Sequence, residues 1–145
     1  QVLEQPMPTP KGEEVLVRTT SAGLCHSDLH QWEGSVDFGG GVKFPMNQAS
    51  KENPVCMGHE ICGELVAVGP GVPAALRPDA TSRYAVYPWI GCRQPEKCVN
   101  CRSRAENMCP FHAKTQDIGN AKDLRGGYAS HLIVPSYRYL FKVPE

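Results

Sequence analysis

Four cysteines fall within eighteen residues, in the pattern Cys92-x5-Cys98-x2-Cys101-x7-Cys109. No other feature restricts the folding of this chain so tightly. Four thiolates this close together, in a sequence with no stretch that reads as a secretory leader, are best explained by one tetrahedral zinc site. Cys98 and Cys101 can grip one metal from a single tight turn, and Cys92 and Cys109 close the tetrahedron from either side. Every position would then be filled, which makes the metal structural and not catalytic. A redox reading of Cys98-x2-Cys101 is weaker, because the flanking cysteines and the lack of a βαβ pattern both favour zinc. Seven cysteines in all give no tidy disulfide count, and a reducing cytoplasm is the expected setting.

A second set of metal-ligand residues is split along the chain. Cys25-His26-Ser27-Asp28-Leu29-His30 lies upstream, and Gly58-His59-Glu60 follows it. Local geometry cannot join Cys25 to His59, so they would have to meet through the fold. A thiolate and an imidazole suit zinc, whereas calcium and magnesium prefer oxygen. On spacing alone the site is only suggestive. Cys25 reads equally as a small buried hydrophobe, and His59 as a hydrogen-bonded core residue.

At 145 residues, 41% hydrophobic and 21% charged, the chain can bury one core and reads as one domain. Fifteen basic residues balance fifteen acidic ones, so no electrostatic pull toward nucleic acid or membrane is expected. No apolar run approaches the length needed to span a bilayer. The pattern is mainly β, with strands expected at residues 14–19, 61–68, 84–87, 128–134 and 139–143. Gly63 suggests a bulge or a close backbone approach. Short strands punctuated by 14 Gly and 13 Pro predict a barrel-like antiparallel fold. Helix is expected at residues 25–32 and, for one turn, at residues 103–108. The glycine-rich stretch 33–53 reads as a long loop. Trp32 and Trp89 read as packing residues, although Trp32 follows the Cys25 helix and could line a substrate pocket, and Cys56 and Cys62 read as buried. His112 and His131 have no interpretable partner spacing.

Cys25-His26-Ser27-Asp28-x-His30, Gly58-His59-Glu60 and the four-cysteine lobe, in that order, resemble the zinc-containing alcohol dehydrogenases of the medium-chain family. Pro8-Thr9-Pro10-Lys11-Gly12-Glu13-Glu14-Val15-Leu16-Val17 is similar to that family's opening strand. Gly63-Glu64-Leu65-Val66-Ala67-Val68-Gly69 and Gly126-Gly127-Tyr128-Ala129 also have counterparts there. The likeness runs from about residue 8 to residue 144, with two departures. The family usually separates its first two lobe cysteines by two residues, and here Arg93-Gln94-Pro95-Glu96-Lys97 intervenes. The Gly-Asp-x-Val turn is represented weakly, by residues 78–84. No Gly-x-Gly-x-x-Gly follows a strand. The chain is therefore expected to be the GroES-like part of the catalytic domain, residues 1–145, with a zinc lobe at about 91–110 and without the Rossmann cofactor domain.

The resemblance implies roles residue by residue. Cys25 and His59 would ligate a catalytic zinc, with a third protein ligand beyond residue 145. Glu60 would lie close to that metal. Asp28 matches the acid that holds the ligand histidine in its tautomer. Ser27 matches the hydroxyl that takes the substrate proton, and His30 the histidine that passes it to solvent. His26 matches a position near the cofactor pyrophosphate, which it would bind less firmly than arginine. The implied parent oxidises a small-molecule alcohol with NAD or NADP, carries one structural and one catalytic zinc, and is a cytoplasmic homo-oligomer. This chain alone is expected to be inactive. The alternatives are a polyol or sugar dehydrogenase of the same family, and a zinc-stabilised GroES-like module without chemistry. The Cys25, Ser27, His30, His59 and Glu60 set separates them, since a pure module needs none of it.

Overall fold

The computed structural model describes residues 2–46, 55–79, 81–111, 118 and 126–144. A five-stranded antiparallel sheet organises them, in the order β6-β1-β4-β5-β7. Its central strand is β4 (Glu60–Val68), and β1 (Val15–Gly23) lies between β4 and the edge strand β6 (His131–Val134). Next to β4 comes β5 (Arg83–Val86), and β7 (Leu140–Lys142) pairs with β5. The mainly β class is thus the one the sequence predicts.

Along β4, β5 and β6 buried residues alternate with more exposed ones, so that one face can be buried, while β1 opens with three consecutive buried residues, Val15, Leu16 and Val17. Val15, Val17, Leu65, Val86, Leu132 and Val134 pack with Ile61, Tyr84, Ile90 and Tyr139 into the core. Each fully buried aliphatic side chain contributes about 1.5–3 kcal/mol relative to exposure. Ile118 joins the same core, and its amide donates to the carbonyl of Pro88.

The β1–β4 register shifts twice, between Leu16 and Val17 and between Thr19 and Ser21. At the second shift Thr20 has no partner in the ladder, and its hydroxyl donates to the carbonyl of Cys62. This β-bulge lies opposite Gly63, where a Cβ would collide with the Arg18 carbonyl oxygen. The extra residue therefore sits on β1, with the glycine on the strand facing it.

Three segments differ from expectation. The stretch read as a long loop contains a hairpin, β2 (Ser35–Asp37) paired with β3 (Lys43–Pro45), with Gly39, Gly40 and Gly41 at its tip. All three glycines have positive φ, so glycines read as loop chemistry are turn chemistry. Residues 47–53 of that stretch lie outside the described residues. The helical turn expected at 103–108 is displaced: α2 is Val99–Arg102, and a 3₁₀ turn spans Glu106–Met108. Trp32 is not a packing residue, being 80% exposed, and Trp89 is 41% exposed with its ring edge-on to Tyr87. The first helix, α1 (His26–Glu33), lies where the sequence puts it. The weak turn at 78–84 is organised by Asp79, which accepts from the Thr81 amide and from the hydroxyls of Thr81 and Ser82. Among the described residues no helix is long and apolar enough to cross a membrane.

Candidate metal centres

The register of β1 on β4 builds the first centre. Gly23, the last residue of β1, pairs with Glu60, the first of β4. Cys25 follows Gly23 by two residues and His59 precedes Glu60 by one, so antiparallel pairing brings both to the same end of the sheet. The Sγ of Cys25 lies 3.4 Å from Nε2 of His59. A ligand atom from each of Cys25, His59 and Glu60 lies within 4.8 Å of the other two. Tetrahedral zinc with metal–sulfur and metal–nitrogen distances near 2.3 and 2.0 Å sets its two donors about 3.5 Å apart. The observed separation agrees with that, and the donor set of sulfur, nitrogen and oxygen suits zinc.

Cys25 is also the N-cap of α1, in extended backbone just before the helix. Asp28, 1% exposed, joins the two ligand segments. One of its oxygens accepts from the Cys25 amide at 3.0 Å, and the other from the Gly58 amide at 3.2 Å. Burial alone would raise its pKa. The amides of Cys25 and Gly58 and the adjacent His59 ring outweigh that and hold it below the ordinary carboxylate value. Its hydrogen bonds thus go to backbone amides beside the ligands and not to the His59 ring, where the sequence reading directs them.

The remaining residues of the motif lie on α1. Ser27 is exposed and His30 is half-buried. Three residues apart on a helix, they share a face. His26 is exposed, and its ring stacks on that of His30 with centroids 4.7 Å apart.

Cys56 and Cys62 stand outside this centre. The Cys56 thiol donates to the Gly126 carbonyl at 3.5 Å, and burial pushes its pKa up, which leaves it a poor ligand. Cys62 is a half-buried β4 residue paired with Ser21 and Ala85. His131 lies on β6 beside the Ser130 hydroxyl, and His112 lies outside the described residues.

One residue escaped the sequence reading. Tyr128 is half-exposed, its hydroxyl donates to the Gly23 carbonyl at 3.2 Å, and its ring lies against Gly58. Its signal was the Gly126-Gly127 pair before an aromatic residue, which marks a close backbone approach.

The second centre is the cysteine lobe. Cys98, Cys101 and Cys109 are buried and Cys92 packs against them. Cys98 is the N-cap of α2 and Cys101 lies within it, so one helical turn carries both. The extra length between Cys92 and Cys98 is taken up by a turn in which the amides of Lys97 and Cys98 both donate to the Gln94 carbonyl. All seven cysteines are free thiols. The Sγ–Sγ distances are 3.5 Å for Cys92–Cys101 and 3.8 Å for Cys98–Cys109, and all four sulfurs lie within 4.8 Å of one another. The edge of a tetrahedron with metal–sulfur bonds of about 2.3 Å is about 3.8 Å. The Cys98 thiol is held down at about 7 by hydrogen bonding to Cys101, while burial pushes that of Cys101 up to about 12. Four neighbouring thiols cannot all ionise without a cation to offset their repulsion, and the geometry leaves room for one. Gly91, with φ 53°, completes the cradle, because a Cβ there would lie 2.9 Å from the Cys101 sulfur.

Similarity to known proteins runs along nearly the whole chain. Residues 11–145 match the family model described as the alcohol dehydrogenase GroES-like domain. An NAD-dependent alcohol dehydrogenase of Sulfurisphaera tokodaii is 35% identical over 138 residues, which is 95% of this chain and 35% of that protein. The L-galactonate-5-dehydrogenase of Escherichia coli is 33% identical over 132 residues, covering 91% of this chain and 32% of the relative. Acetophenone reductase from Geotrichum candidum, solved in complex with NAD, superposes with a TM-score of 0.71 at 31% identity, over 97% of this chain and 35% of the other. The chain thus spans about a third of the length of these relatives.

Proposed function

This chain belongs to the family of alcohol dehydrogenase GroES-like domains, and from that premise we propose that it is the metal-bearing catalytic domain of a zinc-dependent alcohol dehydrogenase. The observation that carries this reading is the meeting of Cys25, His59 and Glu60 within 4.8 Å, across thirty-four residues of sequence. A module that used the fold only as a scaffold would have no need of it.

Cys25 and His59 would hold a catalytic zinc, with Glu60 beside it and a further protein ligand outside this chain. When bound, that zinc supplies Lewis-acid activation of the substrate hydroxyl. The Ser27 hydroxyl would take the proton that the substrate hydroxyl gives up as it passes its own hydroxyl proton on. His30 takes it on from Ser27 along the shared face of α1 and delivers it to solvent. A histidine suits that last step because its ordinary pKa lies near neutrality. Asp28 keeps Cys25 and His59 in register through the two amides. His26, exposed at the start of α1, would lie near the cofactor pyrophosphate.

The lobe cysteines Cys92, Cys98, Cys101 and Cys109 would hold a second zinc with no position open to substrate. The hydride acceptor is NAD or NADP, and the parent is a cytoplasmic homo-oligomer without nucleic-acid or membrane partners. A polyol or sugar as the alcohol is the second reading. It is favoured by relatives named for L-galactonate and D-arabinose.

The test is zinc content together with turnover, in the full-length protein that carries this domain. Two zinc ions per chain and NAD(P)-dependent oxidation of alcohols or polyols are expected. Loss of one zinc and of turnover in Cys25→Ser would support the reading. Undiminished turnover in Cys25→Ser and His59→Ala would overturn it.

A further inference from the structure

Tyr128 touches both segments that bring the ligands of the first centre together. On one side its amide donates to the Met57 carbonyl at 3.1 Å, and the preceding Gly127 amide donates to the Gly58 carbonyl at 2.8 Å. Its ring covers Gly58 so closely that a Cβ there would lie 2.9 Å from Cδ1 and 3.0 Å from Cε1. Gly58 has φ 89°, so both its conformation and its surroundings require glycine. Gly126 allows the approach, since a Cβ at that position would lie 2.0 Å from the Cys56 carbonyl oxygen. On the other side the Tyr128 hydroxyl donates to the Gly23 carbonyl. Gly23 lies two residues before Cys25, and Gly58 immediately precedes His59.

We propose that Tyr128 is a positioning residue that sets the separation of Cys25 and His59, its ring and backbone fixing the His59 turn and its hydroxyl fixing the exit of β1. The inference rests on the reading of Cys25 and His59 as ligands of one metal. Asp28 ties the same two segments from the buried side, and Tyr128 ties them from the half-exposed side. Between them the two residues hold both ends of the junction. Burial and the nearby Asp28 carboxylate push the Tyr128 hydroxyl up to about 12, so it remains a donor across the working pH range.

The test uses the full-length protein that carries this domain, and compares Tyr128→Phe and Tyr128→Leu with wild type. Three measurements need no metal at Cys25. They are the alkylation rate of Cys25 located by mass spectrometry, hydrogen exchange of the Gly127 and Tyr128 amides, and the NMR signals of the His59 ring. Loss of one hydrogen bond corresponds to a roughly three- to tenfold shift in a local opening equilibrium. Tyr128→Phe keeps the ring over Gly58 and loses only the tie to Gly23. It is expected to speed Cys25 alkylation by that factor, lower protection at the two amides and shift the His59 ring signals, while the amides of β6 stay protected. Tyr128→Leu should go further in the same direction.

The proposal is overturned if Tyr128→Phe leaves Cys25 reactivity and the His59 signals as in wild type. It is also overturned if protection in β6 falls by the same factor, since that would be general destabilisation. These results stand apart from the dehydrogenase reading, which falls on undiminished turnover in Cys25→Ser.

Discussion

The sulfur of Cys25 and Nε2 of His59 stand 3.4 Å apart because Gly23 pairs with Glu60. Neither ligand lies within the ladder itself. Each is the first chemically useful side chain beyond the end of its own strand, and the strands are antiparallel, so their ends coincide. A one-residue slip would turn the side chains of β4 to the opposite face and break this meeting point.

His59→Ala is therefore expected to remove metal from the first centre and leave the lobe filled. Metal analysis of the purified full-length protein should then show one zinc lost per chain and one retained. Loss of both, or of neither, would contradict the separate assignment of the two sites.

Asp28→Asn keeps one oxygen acceptor and sets an amide NH₂ against a backbone N–H. A buried donor left facing another donor costs about 1–3 kcal/mol. Lower thermal stability is expected, and faster exchange at the Cys25 and Gly58 amides should accompany it. Unchanged exchange at both amides would show that the carboxylate does not join the two segments.

Cys98→Ser should empty the lobe. Three cysteines hold zinc far less well than four, and the loop between Cys92 and Cys109 has little apolar packing of its own. Loss of the metal and increased proteolysis within residues 91–110 are the expected signs. A lobe equally resistant without metal would count against a structural zinc.

Asp79 gives a pH dependence with a defined sign. Hydrogen bonds from the Thr81 amide and the Ser82 and Thr81 hydroxyls lower its pKa from the ordinary value of 3.8 to about 2. A group held lower in the folded state stabilises above its unfolded pKa, and that contribution is lost as pH falls through the folded value. The stability difference between wild type and Asp79→Asn should therefore be full at neutral pH and shrink between about pH 4 and pH 2. A difference that stays constant over that window would rule out Asp79 as the titrating group.

In the full-length protein, His30→Ala should slow turnover and shift its pH profile with zinc content unchanged, because a relay histidine carries the proton and not the metal. Ser27→Ala should be more severe, as it would remove the first acceptor. A His30→Ala protein stripped of zinc, or a Ser27→Ala protein with unaltered pH dependence, would refute the relay.

By itself the sequence determined the features that depend on neighbours along the chain. The lobe was legible because its four thiols sit within eighteen residues, and α1 because it forms from one contiguous stretch, expected at residues 25–32. The strands were legible from their alternation. What depends on contacts between distant residues was decided only in the tertiary structure. The meeting of Cys25 with His59 rests on the β1–β4 register, which the bulge at Thr20 adjusts. The partners of Asp28 are backbone amides, and every residue has one of those, so no sequence pattern could single out Gly58. The hairpin at Ser35–Asp37 was hidden because three glycines read alike in a turn and in a loop, until a second strand pairs across them. Tyr128 reaches Gly23 across 105 residues, a distance at which only the folded chain can bring two groups together.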